Sequence, residues 1–115
     1  MRLRNLKDSK DILNGSNYYI LNPIEYKNKW DRLFKNTNPI YLEIGMGKGQ
    51  FIIDNAINNP NINYIGIDRY DTLIAKAIKK TPENLPNLKY IKLDANNLND
   101  IFFKEISLIY LKSIF

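Results

Sequence analysis

The chain has 115 residues, 44% hydrophobic and 25% charged, a balance that suits one folded domain and argues against disorder. It contains neither cysteine nor histidine, which excludes a thiolate nucleophile, an imidazole base, an iron–sulfur cluster and a cysteine–histidine zinc site. The formal net charge of +5 favours polyanionic partners without choosing among them.

Residues 1–17 are polar and basic without a clean period, and read as a flexible arm in which Arg2 and Arg4 could grip a phosphate backbone. The arm is too hydrophilic for a signal peptide. No stretch is long and apolar enough to cross a membrane, which favours the cytoplasm. Pro23 suits the first turn of a helix capped by Asn22. Ile24, Lys27, Trp30, Leu33 and Phe34 then share one side, with Trp30 read as core rather than as a base-stacking platform.

The run Y-L-E-I-G-M-G-K-G-Q at 41–50 follows. Ile40, Leu42 and Ile44 predict a buried strand, and an amphipathic helix begins at Gln50. Between them Gly45, Gly47 and Gly49 form a turn whose backbone can approach a ligand closely. Strand, glycine turn and helix open a nucleotide-binding βαβ unit. The third glycine comes one residue too early for the dinucleotide fingerprint G-x-G-x-x-G. Glu43, near the strand's carboxyl end, also disfavours a pyrophosphate. A cationic adenosine ligand without phosphate, such as S-adenosylmethionine, fits better.

A second apolar run, 63–67, ends in Asp68, which follows Gly49 at about the 20-residue offset expected of the carboxylate that holds ribose hydroxyls. Residues 71–80 predict a helix with Leu73, Ile74, Ala77 and Ile78 inward and Asp71 as its cap, while Lys76, Lys79 and Lys80 read as a solvated face. The breaker-rich 81–87 leads into a third strand, 88–93, that ends in Asp94 and Ala95. A short helix near 99–104 and a fourth strand over 105–111 complete an α/β rhythm, implying a mostly parallel sheet whose last strand is an edge.

These segments together resemble the bacterial tRNA (guanine-N7)-methyltransferases. The likeness runs through Asn22-Pro23, Tyr26-Lys27, Lys29-Trp30, N-P-I at 38–40, E-I-G-M-G-K-G-Q-F-I at 43–52, N-P-N-I-N-Y-I-G-I at 59–67 and L-D-A at 93–95, after a basic opening at 1–4. It implies a Rossmann-like class I methyltransferase fold, S-adenosylmethionine as cofactor and tRNA as partner. Glu43, Asp68 and Asp94 would contact the cofactor, and Gly45 and Gly47 would shape its pocket. Glu43 is assigned to the methionine end, Asp68 to the ribose, and Asp94 with Ala95 to the adenine edge. Asp68 stands where many members carry Glu, and a Lys-Pro-Trp run after the basic opening is replaced by Leu6-Lys7-Asp8. The Asn-Phe-Ser-Asp-Pro-Trp-Pro run expected after the fourth strand is not reached.

The expected organisation is therefore a basic arm over 1–17 and an incomplete S-adenosylmethionine-binding α/β domain over 18–115, the N-terminal portion of such an enzyme. A second copy or a partner chain would supply the remaining half. Methylation at guanine N7 suits a chain without Cys or His, because N7 already carries an in-plane lone pair and no proton has to be removed. No residue stands out as catalytic, and no metal site is expected. The competing readings are an inactive remnant keeping part of the pocket and a basic RNA-binding module.

Overall fold

The computed structural model describes residues 6–97 and 109–113. Strands β1 (Ile40–Ile44), β2 (Asn63–Asp68), β3 (Leu88–Lys92) and β4 (Ile109–Ser113) form a parallel sheet in the order β3-β2-β1-β4. Around it lie helices α1 (Leu6–Asn14), α2 (Trp30–Phe34), α3 (Gln50–Asn58) and α4 (Asp71–Lys80), with 3₁₀ turns at Pro23–Tyr26 and Ala95–Asn97. The α/β architecture matches the expected one. The first three strands and the helices from Gln50 and over Asp71–Lys80 fall where the patterns place them.

Alternation along the strands explains the two cores. Ile40, Leu42 and Ile44 turn to the face where Ile65, Ile67 and Ile91 meet Trp30 and Phe34. The opposite face packs Tyr64, Leu88 and Tyr90 against Ile52, Ile53 and Ala56 of α3 and Ile74, Ala75 and Ala77 of α4. Every residue of β2 is buried, as befits a central strand covered on both sides.

Five expectations need correction. Residues 6–14 are a helix packed on α4 and not part of a flexible arm. Its period is hidden because Ser9 occupies a fully buried position beside buried Leu13. The helix expected from Pro23 breaks into a 3₁₀ turn and α2 across Asn28, whose φ is 65°. Ile24 is consequently exposed, while Trp30 is core, and Asn22 makes no side-chain cap bond. Tyr70, not Asp71, is the cap of α4. Asp71 lies in the first helical turn, buried, with its carboxylate 3.1 Å from Lys92 Nζ. On α4, Leu73 and Ile78 are only half-buried, and Ala75 joins Ile74 and Ala77 inside. Within the described residues the fourth strand covers Ile109–Ser113, ending two residues beyond the expected 111. Residues 105–108, the short helix near 99–104, and Arg2 and Arg4 lie outside the described residues.

Hydrogen bonds not visible in the sequence patterns tie these layers together. Tyr90 N–H donates to Tyr18 C=O at 2.7 Å and Ile20 N–H to Tyr90 C=O at 3.0 Å, so residues 18–20 cover the outer edge of β3. The buried Asn87 amide donates to the carbonyls of Ala56, Asn59 and Ile62 at 3.0, 3.0 and 2.9 Å, closing the end of α3 onto the start of β2. Asn87→Ala is expected to destabilise the fold by about 2–3 kcal/mol, because buried acceptors lose their donor. Urea unfolding checks this, and a midpoint equal to that of the parent chain would contradict it.

Candidate functional site

The sheet order reverses at β1, with β2 and β3 on one side and β4 on the other. Open α/β sheets bind ligands in the crevice outside the strand carboxyl ends at such a reversal. A cleft of about 510 Å³ opens there, within the usual size of a small-molecule site. The ends of three strands build it: Ile44 and Gly45 from β1, Ile67 and Asp68 from β2, and Leu93 and Asp94 after β3. Gly47, Arg69, Tyr70 and Leu73 complete the wall.

The glycine turn is bound to the end of β2. The N–H groups of Gly45 and Met46 donate to Ile67 C=O at 2.8 and 3.1 Å, and Gly49 N–H donates to Met46 C=O at 3.1 Å. Gly47 N–H donates to Asp68 Oδ2 at 3.2 Å, while Asp68 Oδ1 accepts from Tyr70 N–H at 3.1 Å. The glycines at 47 and 49 serve different purposes. A Cβ on Gly49 would lie 2.7 Å from Ala77 Cβ, so this glycine permits α3 to approach α4. No atom lies within 4 Å of a Cβ built on Gly47, where the backbone φ is +60°, and that open flank belongs to the cleft wall.

Asp94 is half-buried at the cleft, and its Oδ1 accepts from Asn96 N–H at 2.9 Å, so it also caps the turn that Ala95 opens. Glu43 sits elsewhere. It is fully buried, in register with Gly66, on the sheet face opposite Leu42 and Ile44, and is not among the residues lining the cleft. Burial pushes up the Tyr41 phenol, and the Glu43 charge adds to the shift. Tyr90 is likewise raised by burial, against the opposing hydrogen bond from Thr81, with Tyr18 and Glu43 adding to the rise. Of the residues singled out in the sequence, the structure thus gathers Gly45, Gly47, Asp68 and Asp94 around one cleft, with Glu43 buried and outside its lining.

The family follows from the sequence match. Residues 37–114 match a family model described as "Putative methyltransferase". The chain belongs to this methyltransferase family. It is similar to proteins named tRNA (guanine-N(7)-)-methyltransferase from Lachnoclostridium phytofermentans, at 46% identity over 96% of this chain and 53% of that protein, and from Malacoplasma penetrans, at 47% over 98% and 54%. The chain therefore spans about half the length of the curated relatives it matches. A solved structure titled "Structure of an antibiotic related Methyltransferase" aligns with a TM-score of 0.51 at 29% identity, covering 62% of this chain and 38% of that one.

Methyltransferases of this fold generally use S-adenosylmethionine, and the cleft residues fit that group. Two carboxylates, Asp68 and Asp94, suit a ligand with hydroxyls and positive charge, while Ile44, Ile67, Leu73 and Leu93 offer apolar walls to a purine. The open flank of Gly47 leaves room that any side chain would fill.

Sequence reasoning missed Arg69, Tyr70, Leu73 and Leu93. Arg69 Nη2 donates to Tyr70 Oη at 2.6 Å, and its guanidinium lies 4.9 Å from the centre of that ring. The hydrogen bond to Tyr70 raises the Arg69 pKa, and Asp94 and Asp68 add to the rise. The available signal was position: Arg69 and Tyr70 directly follow the acid that ends β2, and Leu93 directly precedes the one after β3. Among the described residues, no helix is long and apolar enough to cross a membrane.

Proposed function

We propose that this chain is the cofactor-binding portion of a tRNA (guanine-N7)-methyltransferase, acting in the cytoplasm. One observation carries the reading: a chain matching proteins of that name along nearly its whole length places two carboxylates and an open glycine flank around one cleft at the sheet reversal. S-adenosylmethionine, when bound, supplies a methyl group on a positively charged sulfur.

The chain's own residues bind and orient. Asp68 accepts the ribose hydroxyls with the oxygen lone pairs that Gly47 and Tyr70 leave free. Asp94 and Ala95 meet the adenine edge. Glu43, two residues before Gly45, contributes negative charge toward the methionine end. Ile44, Ile67, Leu73 and Leu93 keep water from the apolar wall, and the tethered turn keeps that wall fixed, so the site acts through orientation. Guanine N7 needs no general base, which agrees with a chain lacking Cys and His. We assign the tRNA contacts to the basic residues of this chain, Arg2 and Arg4 among them, and to a second copy or partner chain.

Labelled methyl transfer from S-adenosylmethionine to unmodified tRNA, followed by nucleoside analysis, tests the proposal. The expected product is 7-methylguanosine. A folded sample that binds S-adenosylmethionine but transfers nothing would reduce the function to cofactor binding.

A further inference from the structure

Two segments that wall the cleft run side by side and then part. Strands β2 and β3 stay in register up to Asp68 and Lys92, and Leu93 N–H still donates to Asp68 C=O at 3.0 Å. Beyond that bond the chain after β2 turns through Arg69 and Tyr70 into α4, while the chain after β3 passes through Leu93 and Asp94 into the 3₁₀ turn at Ala95. Tyr70 and Leu73 line the cleft from the first segment, Leu93 and Asp94 from the second. An ion pair crosses the fork, with Asp71 Oδ1 3.1 Å from Lys92 Nζ. The contact is a pairing of charges rather than an aligned hydrogen bond. Asp71 directly follows Tyr70 and Lys92 directly precedes Leu93, so the pair joins the segments beside the residues that line the cleft. Asp71 is 5% exposed, whereas the lysine side chain is 45% exposed. By alternation Lys92 shares the sheet face of Leu88 and Tyr90, the one that α4 covers.

We infer that the Asp71–Lys92 pair is a brace that fixes the spacing of the two cleft segments, which makes both residues positioning residues for the bound cofactor. It rests on the proposed function, since the occupant is taken to be S-adenosylmethionine. An acid in the first turn of a helix is favoured by the helix dipole while still exposed, so the dipole alone gives no reason to bury Asp71. Burial makes the carboxylate costly unless an opposite charge stands close, and an apolar residue of similar size would pack there at lower cost. What the ion pair adds is a fixed partner: the start of α4 is drawn to one nitrogen on β3. Neither residue lines the cleft, so both act through Tyr70, Leu73, Leu93 and Asp94. With the brace in place the segments keep the spacing that accepts a ligand. Without it they hold that spacing for a fraction of the time, and apparent affinity falls by the same fraction.

Calorimetry with S-adenosylmethionine and amide spectra of the full chain test the brace. Lys92→Met keeps the apolar stem and removes the charge, and should bind about tenfold more weakly than the parent. Lys92→Arg keeps the charge and should restore most of the affinity. A double variant, Asp71→Asn with Lys92→Met, removes both charges and leaves no buried charge alone. If the pair served stability only, this double variant would regain affinity along with its unfolding midpoint. A brace leaves it folded and weak. Without ligand, Lys92→Met, a change on β3, should also move the amide signals of Tyr70 and Leu73 on the other segment, and leave those of Ile53 and Ala56 in α3 unmoved. Parental affinity in a folded Lys92→Met or in the double variant would overturn the inference, as would shifts confined to residues 91–93 and Asp71. If Lys92→Met does not fold, the double variant decides. A parent chain that binds no S-adenosylmethionine would remove the proposed function, and the ligand-free spectra would then judge the brace alone.

Discussion

Gly49→Ala is expected to destabilise the chain by about 3 kcal/mol, whereas Gly47→Ala should cost only about 1–2 kcal/mol. Both glycines adopt positive φ, +82° at Gly49 and +60° at Gly47, so each alanine bears left-handed strain. The surroundings differ. At 49 the new methyl would lie 2.7 Å from Ala77 Cβ and 3.5 Å from Ala77 Cα, which α4 can relieve only by shifting away from α3. At 47 nothing lies within 4 Å, so the methyl meets no atom and projects beside the cleft. The cost at 49 should appear as a lower unfolding midpoint, and the effect at 47 mainly as weakened ligand binding. Equal destabilisation at the two sites would contradict the close approach of α3 to α4.

Asp68→Ala is expected to weaken S-adenosylmethionine binding by about 100-fold, the loss of hydrogen bonds from hydroxyls to a charged acceptor. The carboxylate also holds Gly47 N–H at 3.2 Å and Tyr70 N–H at 3.1 Å, so the variant loosens the turn as well as losing the proposed ribose contact. Asp68→Glu separates the two contributions. It keeps the charge but moves it further from the strand end, and should recover part of the affinity. Glu83→Ala, a change at an exposed position away from the cleft lining, is the control and should bind as the parent does. Calorimetry reads all three. Unchanged affinity in a folded Asp68→Ala would remove Asp68 from the ribose contact.

Much of this protein was already determined by its sequence. The alternation of Ile40, Leu42 and Ile44, the apolar run before Asp68, and the helical spacing over Asp71–Lys80 specify strands and helices locally, because side-chain period and backbone conformation are coupled. The glycine spacing and the acids at successive strand ends likewise marked one edge of the sheet as the ligand side, and Asp68 and Asp94 do meet there. Elements whose signal is not local were harder to read. Helix α1 buries a serine where a periodic pattern would want an apolar residue, and only its packing on α4 makes it regular. The break at Asn28 depends on a left-handed backbone that Pro23 upstream does not announce.

The tertiary structure alone decided where the acids lie and what they meet. Glu43 and Asp68 read alike in sequence, as carboxylates at the ends of neighbouring strands. Side-chain alternation turns Glu43 to the face opposite Leu42 and Ile44, into the layer of Tyr41 and Tyr90, while Asp68 sits at the strand terminus where the backbone of the glycine turn can reach it. Residue type and spacing carry chemistry and edge. Which carboxylate meets which N–H depends on sheet register and on the path of the turn, which exist only once β1 and β2 are paired.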